Sequence, residues 1–331
     1  MGGKGLIMSD ATAAVSKIKG RFAPSPSGRM HLGNIYTALA AWLCAKSRGG
    51  EFFLRIEDLD PVRCPRSFAD LILQDLNWLG LTWDNGDVLY QSDRSPVYET
   101  YYQLLSDKDL IYPCFCSRSQ LHVADAPHAE DGRIIYPGTC RQLSSEEKQI
   151  RAKHRQPAYR VILPDATVSF HDGVYGPQQF NLAQDWGDLI IRRSDGVFAY
   201  QLAVTIDDGL TGVSQVVRGR DLLSSAAPQL YLFRTLGFTP PNYLHLPLLI
   251  TTTGARLAKR ERSSDLGFIR SVCPRPEILL GYLGWLLGQL SAPEPIDLPG
   301  LLAVFDAKKI PKEDIIISED YWQRFTACRT C

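Results

Sequence analysis

Residues 21–35, RFAPSPSGRMHLGNI, set a lone histidine, His31, between Gly28 and Gly33 in a turn rich in proline and serine. Two glycines let a ligand lie against the backbone. A helix starting near Asn34 aims its N-terminal amides and positive dipole end at the same spot, where a histidine donates to phosphate or ribose oxygens. The stretch matches neither G-x-x-x-x-G-K-[ST] nor G-x-G-x-x-G. A plain turn with a surface histidine fits the same local features. A second stretch, TTGARLAKRERSSDL at 252–266, places Arg256, Lys259, Arg260 and Arg262 on a Gly-containing loop. Cations on a mobile loop suit a transferring phosphate, whose developing charge must be met as it forms; a solvated basic face or a nucleic-acid patch has the same composition. The third group is Cys114, Cys116 and Cys140. Thiolates at i, i+2 share a metal readily, and zinc needs four ligands. Spacing alone offers His122 or His128 as the fourth, or no metal at all. Cys44 reads as core, and Cys328 with Cys331 as a frayed tail.

The elements that must hold these residues follow from periodicity. A short strand at 20–23 runs into the Pro/Ser/Gly turn, and Ile35, Leu39, Trp42 and Leu43 then mark a helix closed by Gly49-Gly50. EFFLRI (51–56) reads as a strand, and Phe68, Leu71, Ile72, Leu76 and Leu79 as a second amphipathic helix. This strand–helix–strand–helix opening begins a parallel sheet. From Cys114 to about Pro157 the pattern dissolves, apart from a capping box at Ser144 and Glu147. AYRVIL and DLIIRR then read as strands, the latter turning at Ser194-Asp195-Gly196 into a strand-like VFAYQLAV. SQVVRGRDLL resumes the strand-into-helix style, and helical segments near 276–289 and 299–307 finish the chain. The expected fold is therefore α/β, a doubly wound parallel sheet split by an insertion, with a short, mainly helical C-terminal region. The expected spans are a tail at 1–18, a first half at 19–110, the insertion at 111–189, a second half at 190–250, and the basic loop with C-terminal helices at 251–331.

Composition sets the outer bounds. The 331 residues are 45% hydrophobic and 22% charged, with zero net charge, so a nucleic-acid partner must meet a local basic patch rather than a generally cationic surface. No stretch approaches the ~20 apolar residues of a membrane span, and residues 1–18 hold no signal-peptide core. The expected location is cytoplasmic, where the eight cysteines read as free thiols or metal ligands.

Taken together, the stretches resemble the class I aminoacyl-tRNA synthetases of the glutamyl branch. PSPSGRMHLGN is similar to the His-Ile-Gly-His signature and Arg256-Leu257-Ala258-Lys259-Arg260 to the Lys-Met-Ser-Lys-Ser signature; LRIEDLDPVR and VVRGRDLL match between them. The resemblance covers roughly residues 20–265. It implies a Rossmann-like catalytic domain that makes an aminoacyl-adenylate from ATP with Mg²⁺. Carried over by position, Arg21 and Arg218 would bind carboxylate oxygens of L-glutamate, Glu57 the ammonium, and Tyr200 would wall a pocket shared with Phe22, Ala23, Pro24 and Ser25. Gly28, His31, Gly33, Asn34 and Lys259 would hold ATP, with His31 and Lys259 as the catalytic pair. The signature departs from the usual pattern at Arg256, where a lysine is common, and at Ala258, where a serine is common.

Little chain follows Arg260, which leaves no room for the helical anticodon-binding region of full-length glutamyl-tRNA synthetases. The whole sequence resembles the short glutamyl-queuosine tRNA(Asp) synthetases instead. That family pairs Cys-x-Cys with Tyr-x-x-x-Cys, which implies one structural Zn²⁺ on Cys114, Cys116, Tyr136 and Cys140. It also implies tRNA-independent activation of glutamate and transfer to queuosine in the anticodon loop of tRNA(Asp). A truncated glutamyl-tRNA synthetase charging the 3′ end of tRNA(Glu) is the nearest alternative. An inactive RNA- or protein-binding paralogue is another, against which the retained Arg21, His31, Glu57 and Lys259 count.

Overall fold

The computed structural model describes residues 17–117, 135–255 and 265–318. The chain opens with β1 (Lys19–Phe22), α1 (Leu32–Lys46) and β2 (Glu51–Ile56), the two strands paired in parallel with Arg21 opposite Phe53. Helix α1 is buried on nearly every side; Leu32, Ile35, Leu39 and Leu43 have no exposure, and Ala38, Ala40, Ala41 and Ala45 let the sheet approach closely. At Gly50, which follows the helix, an added Cβ would lie 2.5 Å from the Ile18 carbonyl oxygen. Only glycine fits there.

Helix α2 (Arg66–Trp78) and the short β3 (Leu89–Tyr90) extend this half, followed by α3 (Ser95–Asp107) and β4 (Ile111–Cys114). Next come α4 (Ser145–Ala152), β5 (Ala158–Val161), β6 (Thr167–Asp172), β7 (Gly176–Asn181), α5 (Leu182–Asp185) and β8 (Leu189–Arg192). The capping box at the head of α4 is formed in both directions, Glu147 N–H donating to Ser144 Oγ at 3.2 Å and Ser144 N–H to Glu147 Oε2 at 2.8 Å. The last part holds α6 (Tyr200–Thr211), β9 (Gln215–Gly219), α7 (Ala226–Thr235), β10 (Asn242–Leu246), β11 (Leu249–Thr251), α8 (Leu266–Val272), α9 (Pro276–Leu286), α10 (Leu298–Val304) and β12 (Ile315–Ile317).

A parallel sheet β3-β2-β1 abuts a second sheet ordered β9-β10-β6-β7, parallel except for its edge strand β7. Ser214 joins them: its N–H donates to the Lys19 carbonyl at 3.0 Å and its hydroxyl accepts from Lys19 N–H at 2.9 Å. The order thus reverses between β1 and β9. In open α/β sheets, the crevice beyond the strand ends at such a switch point is where ligands bind.

Strands β4, β5 and β8 form a separate antiparallel sheet. The hairpin β6–β7, although it lies within 111–189, joins the main sheet through β10, with Asp172 opposite Tyr243. VFAYQLAV is not a strand. A single bridge pairs Arg192 with Phe198, and helix α6 starts at Tyr200. Phe198, Leu202 and Ile206 are buried four residues apart, a helical period that overrides the β-branched and aromatic composition.

Candidate active site

The switch-point crevice is a cavity of about 600 Å³. Arg21 enters it from the end of β1, Glu57 from the residue after β2, Arg218 from β9 and Tyr200 from the head of α6. Residues 22–25 and 27 supply one wall, His31, Asn34 and Thr37 the α1 side, and Asp221 and Leu222 the rim. Every glutamate-pocket position expected from sequence lines this one space. Of the ATP positions, His31 and Asn34 line it; Gly33 borders a smaller adjoining cavity with Pro247 and Leu248. Gly28 borders neither, and its φ of 150° marks it as a turn residue. Lys259, Arg256, Ala258, Arg260 and Arg262 lie outside the described residues, as do His122, His128, Cys328 and Cys331.

His31 is the N-cap of α1. Its Nδ1 accepts the Gly33 N–H at 3.1 Å, while its own N–H donates to Asn34 Oδ1 at 3.2 Å, a reciprocal capping box. An accepting Nδ1 carries no proton, so the neutral ring holds its proton on Nε2. Gly33 makes room for this: an added Cβ would lie 3.0 Å from the imidazole. The glycine serves the histidine, a role its place in the motif does not reveal. Asp265 pairs with His31 as a β-bridge, Leu266 N–H donates to the Met30 carbonyl, and Arg29 and Arg270 both bind the buried Asp75 at 2.9 and 3.0 Å. The end of the basic stretch is thereby fastened to the turn that carries His31.

Beneath the cavity lies a buried ionic network that local motif reading does not disclose. Arg55 donates to Asp208 at 2.5 Å and to Glu57 at 3.1 Å, and Arg21 lies 3.4 Å from Asp208. Asp207, the neighbour of Asp208 on α6, accepts from Gln91, Arg94 and Tyr98 at 2.7–2.9 Å. Burial pushes the Glu57 carboxyl up, against the pull of Arg55 and Arg21. For Asp208 burial acts the same way, but Arg55 and Arg21 outweigh it and the carboxyl ends below its ordinary range. Of the other acids in EDLDP, Asp58 caps the turn at Ser92 and Asp60 pairs with Arg193; only Glu57 lines the cavity. The one legible signal for Asp207 and Asp208 is a pair of acids inside an otherwise uncharged helix.

Arg218 is held on three sides: Nε donates to His245 Nε2 at 3.0 Å, one terminal nitrogen to Gln229 Oε1 at 2.8 Å, and the other to the Leu222 carbonyl at 3.0 Å. His245 in turn lies 2.6 Å from Asp172 Oδ2 through Nδ1. Burial holds the imidazole below its ordinary 6.5, and the Arg218 charge adds to this against the Asp172 hydrogen bond.

Away from the cavity, the Sγ atoms of Cys114, Cys116 and Cys140 lie within 4.8 Å of one another, with Cys116 and Cys140 at 3.6 Å. The Tyr136 hydroxyl sits 3.5 Å from Cys114 Sγ and 3.8 Å from Cys116 Sγ, and the Arg160 guanidinium lies over the tyrosine ring. Four ligands at Zn–S lengths stand about 3.8 Å apart, so this donor set has the spacing of a tetrahedral metal site. Burial raises the Tyr136 phenol above its ordinary value, so it becomes an anionic ligand only beside a cation.

A doubly wound sheet whose capped first helix faces a charged crevice at the switch point defines the α/β class whose ligands bind at that crevice. Residues 17–288 match the catalytic domain of the class I tRNA synthetases for E and Q. A glutamyl-Q tRNA(Asp) synthetase of Symbiobacterium thermophilum is 46% identical over 90% of this chain and 95% of its own length, and one of Nitratidesulfovibrio vulgaris is 44% identical over 93% and 98%. A glutamate tRNA ligase from Elizabethkingia meningosepticum, solved in complex with its amino acid, superposes with a TM-score of 0.78 at 26% identity, over 94% of this chain and 69% of that one. The chain belongs to the glutamyl-Q tRNA(Asp) synthetase family of class I tRNA synthetases, and is an enzyme of the ligase type. No helix among the described residues is long and apolar enough to cross a membrane.

Proposed function

We propose that the chain activates glutamate with ATP in the absence of tRNA and then transfers it to the cyclopentene-diol of queuosine in the anticodon loop of tRNA(Asp). The carrying observation is charge complementarity in one cavity: two buried arginines and one nearly buried carboxylate, Arg21, Arg218 and Glu57, against a ligand with two carboxylates and one ammonium. Tyr200 walls the pocket. His31 Nε2–H and the α1 amides meet the phosphates of ATP, with Lys259 as the side-chain cation and Mg²⁺ arriving with the nucleotide. A glutamate carboxylate oxygen bonds to the α-phosphorus as the bond to the β-phosphate breaks, giving glutamyl-adenylate and pyrophosphate. A queuosine hydroxyl then attacks the activated carbonyl, and AMP leaves. The relatives named glutamyl-Q tRNA(Asp) synthetase support this acceptor, and unpaired anticodon bases suit direct reading by a protein. Cys114, Cys116, Tyr136 and Cys140 would hold one zinc, whose work is to fasten a segment with little core of its own.

Glutamate-dependent ATP–pyrophosphate exchange, measured without RNA, tests the first step. Labelled glutamate should then appear on an isolated queuosine-containing stem-loop of tRNA(Asp) and not on the unmodified one. The second reading, favoured by the superposition on a glutamate tRNA ligase, is charging of the 3′ end of tRNA(Glu). A strict tRNA requirement for exchange, with label only on that 3′ end, would establish it. Absence of exchange under all conditions would leave a binding module.

A further inference from the structure

Arg21 and Arg218 meet their buried partners differently. Arg21 sits against the carboxylate of Asp208, 3.4 Å away. Arg218 has no carboxylate in contact among the described residues; an imidazole stands between it and Asp172. Arginine Nε always carries a hydrogen and never accepts, so His245 Nε2 must be the acceptor and Nδ1 the donor to Asp172. Both His245 and Asp172 are fully buried, and Tyr243 lies parallel to the imidazole with its ring under the Arg218 guanidinium. Asp172 is itself fixed, accepting from the backbone N–H groups of Val174, Tyr175 and His245.

We infer that His245, oriented by Asp172, is a positioning residue that sets the rotation of the Arg218 guanidinium and leaves its charge for a substrate carboxylate. A neutral acceptor anchors Nε without neutralising the arginine, as a carboxylate in contact would. Three of the five guanidinium hydrogens are then taken by His245, Gln229 and Leu222, and one remains on each terminal nitrogen, which is a fork for a carboxylate. The inference rests on the proposed role of Arg218 in binding glutamate. It adds two buried residues, on β6 and β10, that do not line the cavity.

Two substitutions separate anchoring from packing. Asn at 245 can place its amide N–H where Nδ1 stood, keeping the Asp172 bond but offering Arg218 no acceptor. Gln at 245 can place its carbonyl oxygen near Nε2, keeping the bond to Arg218. The full-length chain would be assayed by pyrophosphate exchange for the KM of glutamate, the KM of ATP and kcat, with the melting temperature of each variant. His245→Asn should raise the glutamate KM by about tenfold or more, the loss of one hydrogen bond to a charged group, and leave the ATP KM unchanged. His245→Gln should restore the glutamate KM. A His245→Asn enzyme with the parent's glutamate KM, or losses of equal size in both KM values that track the melting temperature in both variants, would overturn the inference. Arg218→Lys is the control. If it raises the glutamate KM while His245→Asn does not, only the positioning role falls; if it leaves that KM unchanged, the reading of Arg218 falls and the inference with it.

Discussion

His31 carries two functions on two nitrogens, and the separation is testable. Nδ1 closes the cap on α1, and the ring proton sits on Nε2 on the side of the cavity. Asparagine is itself a favoured N-cap but has no atom in the place of Nε2. His31→Asn should therefore melt close to the parent while kcat for pyrophosphate exchange falls by about 10²–10³, the range for losing one preorganised donor. His31→Ala should lose activity to the same degree and about 1 kcal/mol of stability as well. Equal stability for both variants would show that the cap contributes nothing. His245 gives a second prediction, in pH. Its folded-state value lies below 6.5, so the folded protein binds fewer protons than the unfolded chain in the interval between the two values, and stability falls as the pH drops through that interval. Asp172 also lies below its ordinary 3.8 despite burial, because His245 and two backbone N–H groups outweigh it; its share is present above that value and lost as pH falls through the lower one. The melting temperature measured from pH 7.5 to 5 should decline by a component that His245→Gln removes. Parallel curves for parent and variant would refute this.

The ionic network makes a prediction about elements rather than atoms. Asp208 on α6 holds Arg55 of β2 and Arg21 of β1, so one carboxylate ties the helix to both strands. Asp208→Asn removes that charge from a site almost without solvent and leaves two guanidiniums underpaired. The expected loss is about 3–5 kcal/mol in denaturant unfolding, with a weakened glutamate KM because Arg21 loses its support. A loss below about 1 kcal/mol, the scale of an exposed pair, would show that solvent reaches the network. Much of this architecture is legible in the residues. Ile35, Leu39, Trp42 and Leu43 announce α1, EFFLRI announces β2, and the stretch 21–35 supplies one wall of the cavity. What escapes is tertiary choice. Tyr98, Tyr102 and Leu105 carry a helical period for α3, yet nothing local tells that Tyr98 will donate to Asp207 more than a hundred positions later. Arg21, Glu57 and Arg218 stand out because each lies in or beside a motif-bearing stretch, while Tyr200 comes only with the family resemblance. Asp172 and His245 belong to no motif-bearing stretch, and their pairing depends on a parallel contact of β6 with β10. A hairpin carries no mark of the sheet it will join.

For the whole molecule, the question is how the irregular middle of the chain relates to the cavity. The hairpin β6–β7 belongs to the main sheet and reaches Arg218 through Asp172. The cysteine cluster sits on the other sheet, beside β4 and β5, with its own small core of Tyr112, Phe115 and Tyr136. None of the described residues of that sheet or cluster lines the cavity. Metal binding and glutamate activation should therefore separate. A segment this poor in apolar contacts draws its order from its ligands, so loss of the metal should cost stability locally while the crevice at the β1/β9 junction persists. The purified protein should contain one zinc per chain by metal analysis. Cys140→Ser should release the zinc and lower the melting temperature, because the thiol that approaches Cys116 and the Phe115 N–H is gone. Pyrophosphate exchange with glutamate should survive in that variant, because none of the cluster residues lines the cavity. Loss of exchange in step with loss of zinc would place the metal in support of the catalytic crevice instead, and would join the two sheets into one functional unit.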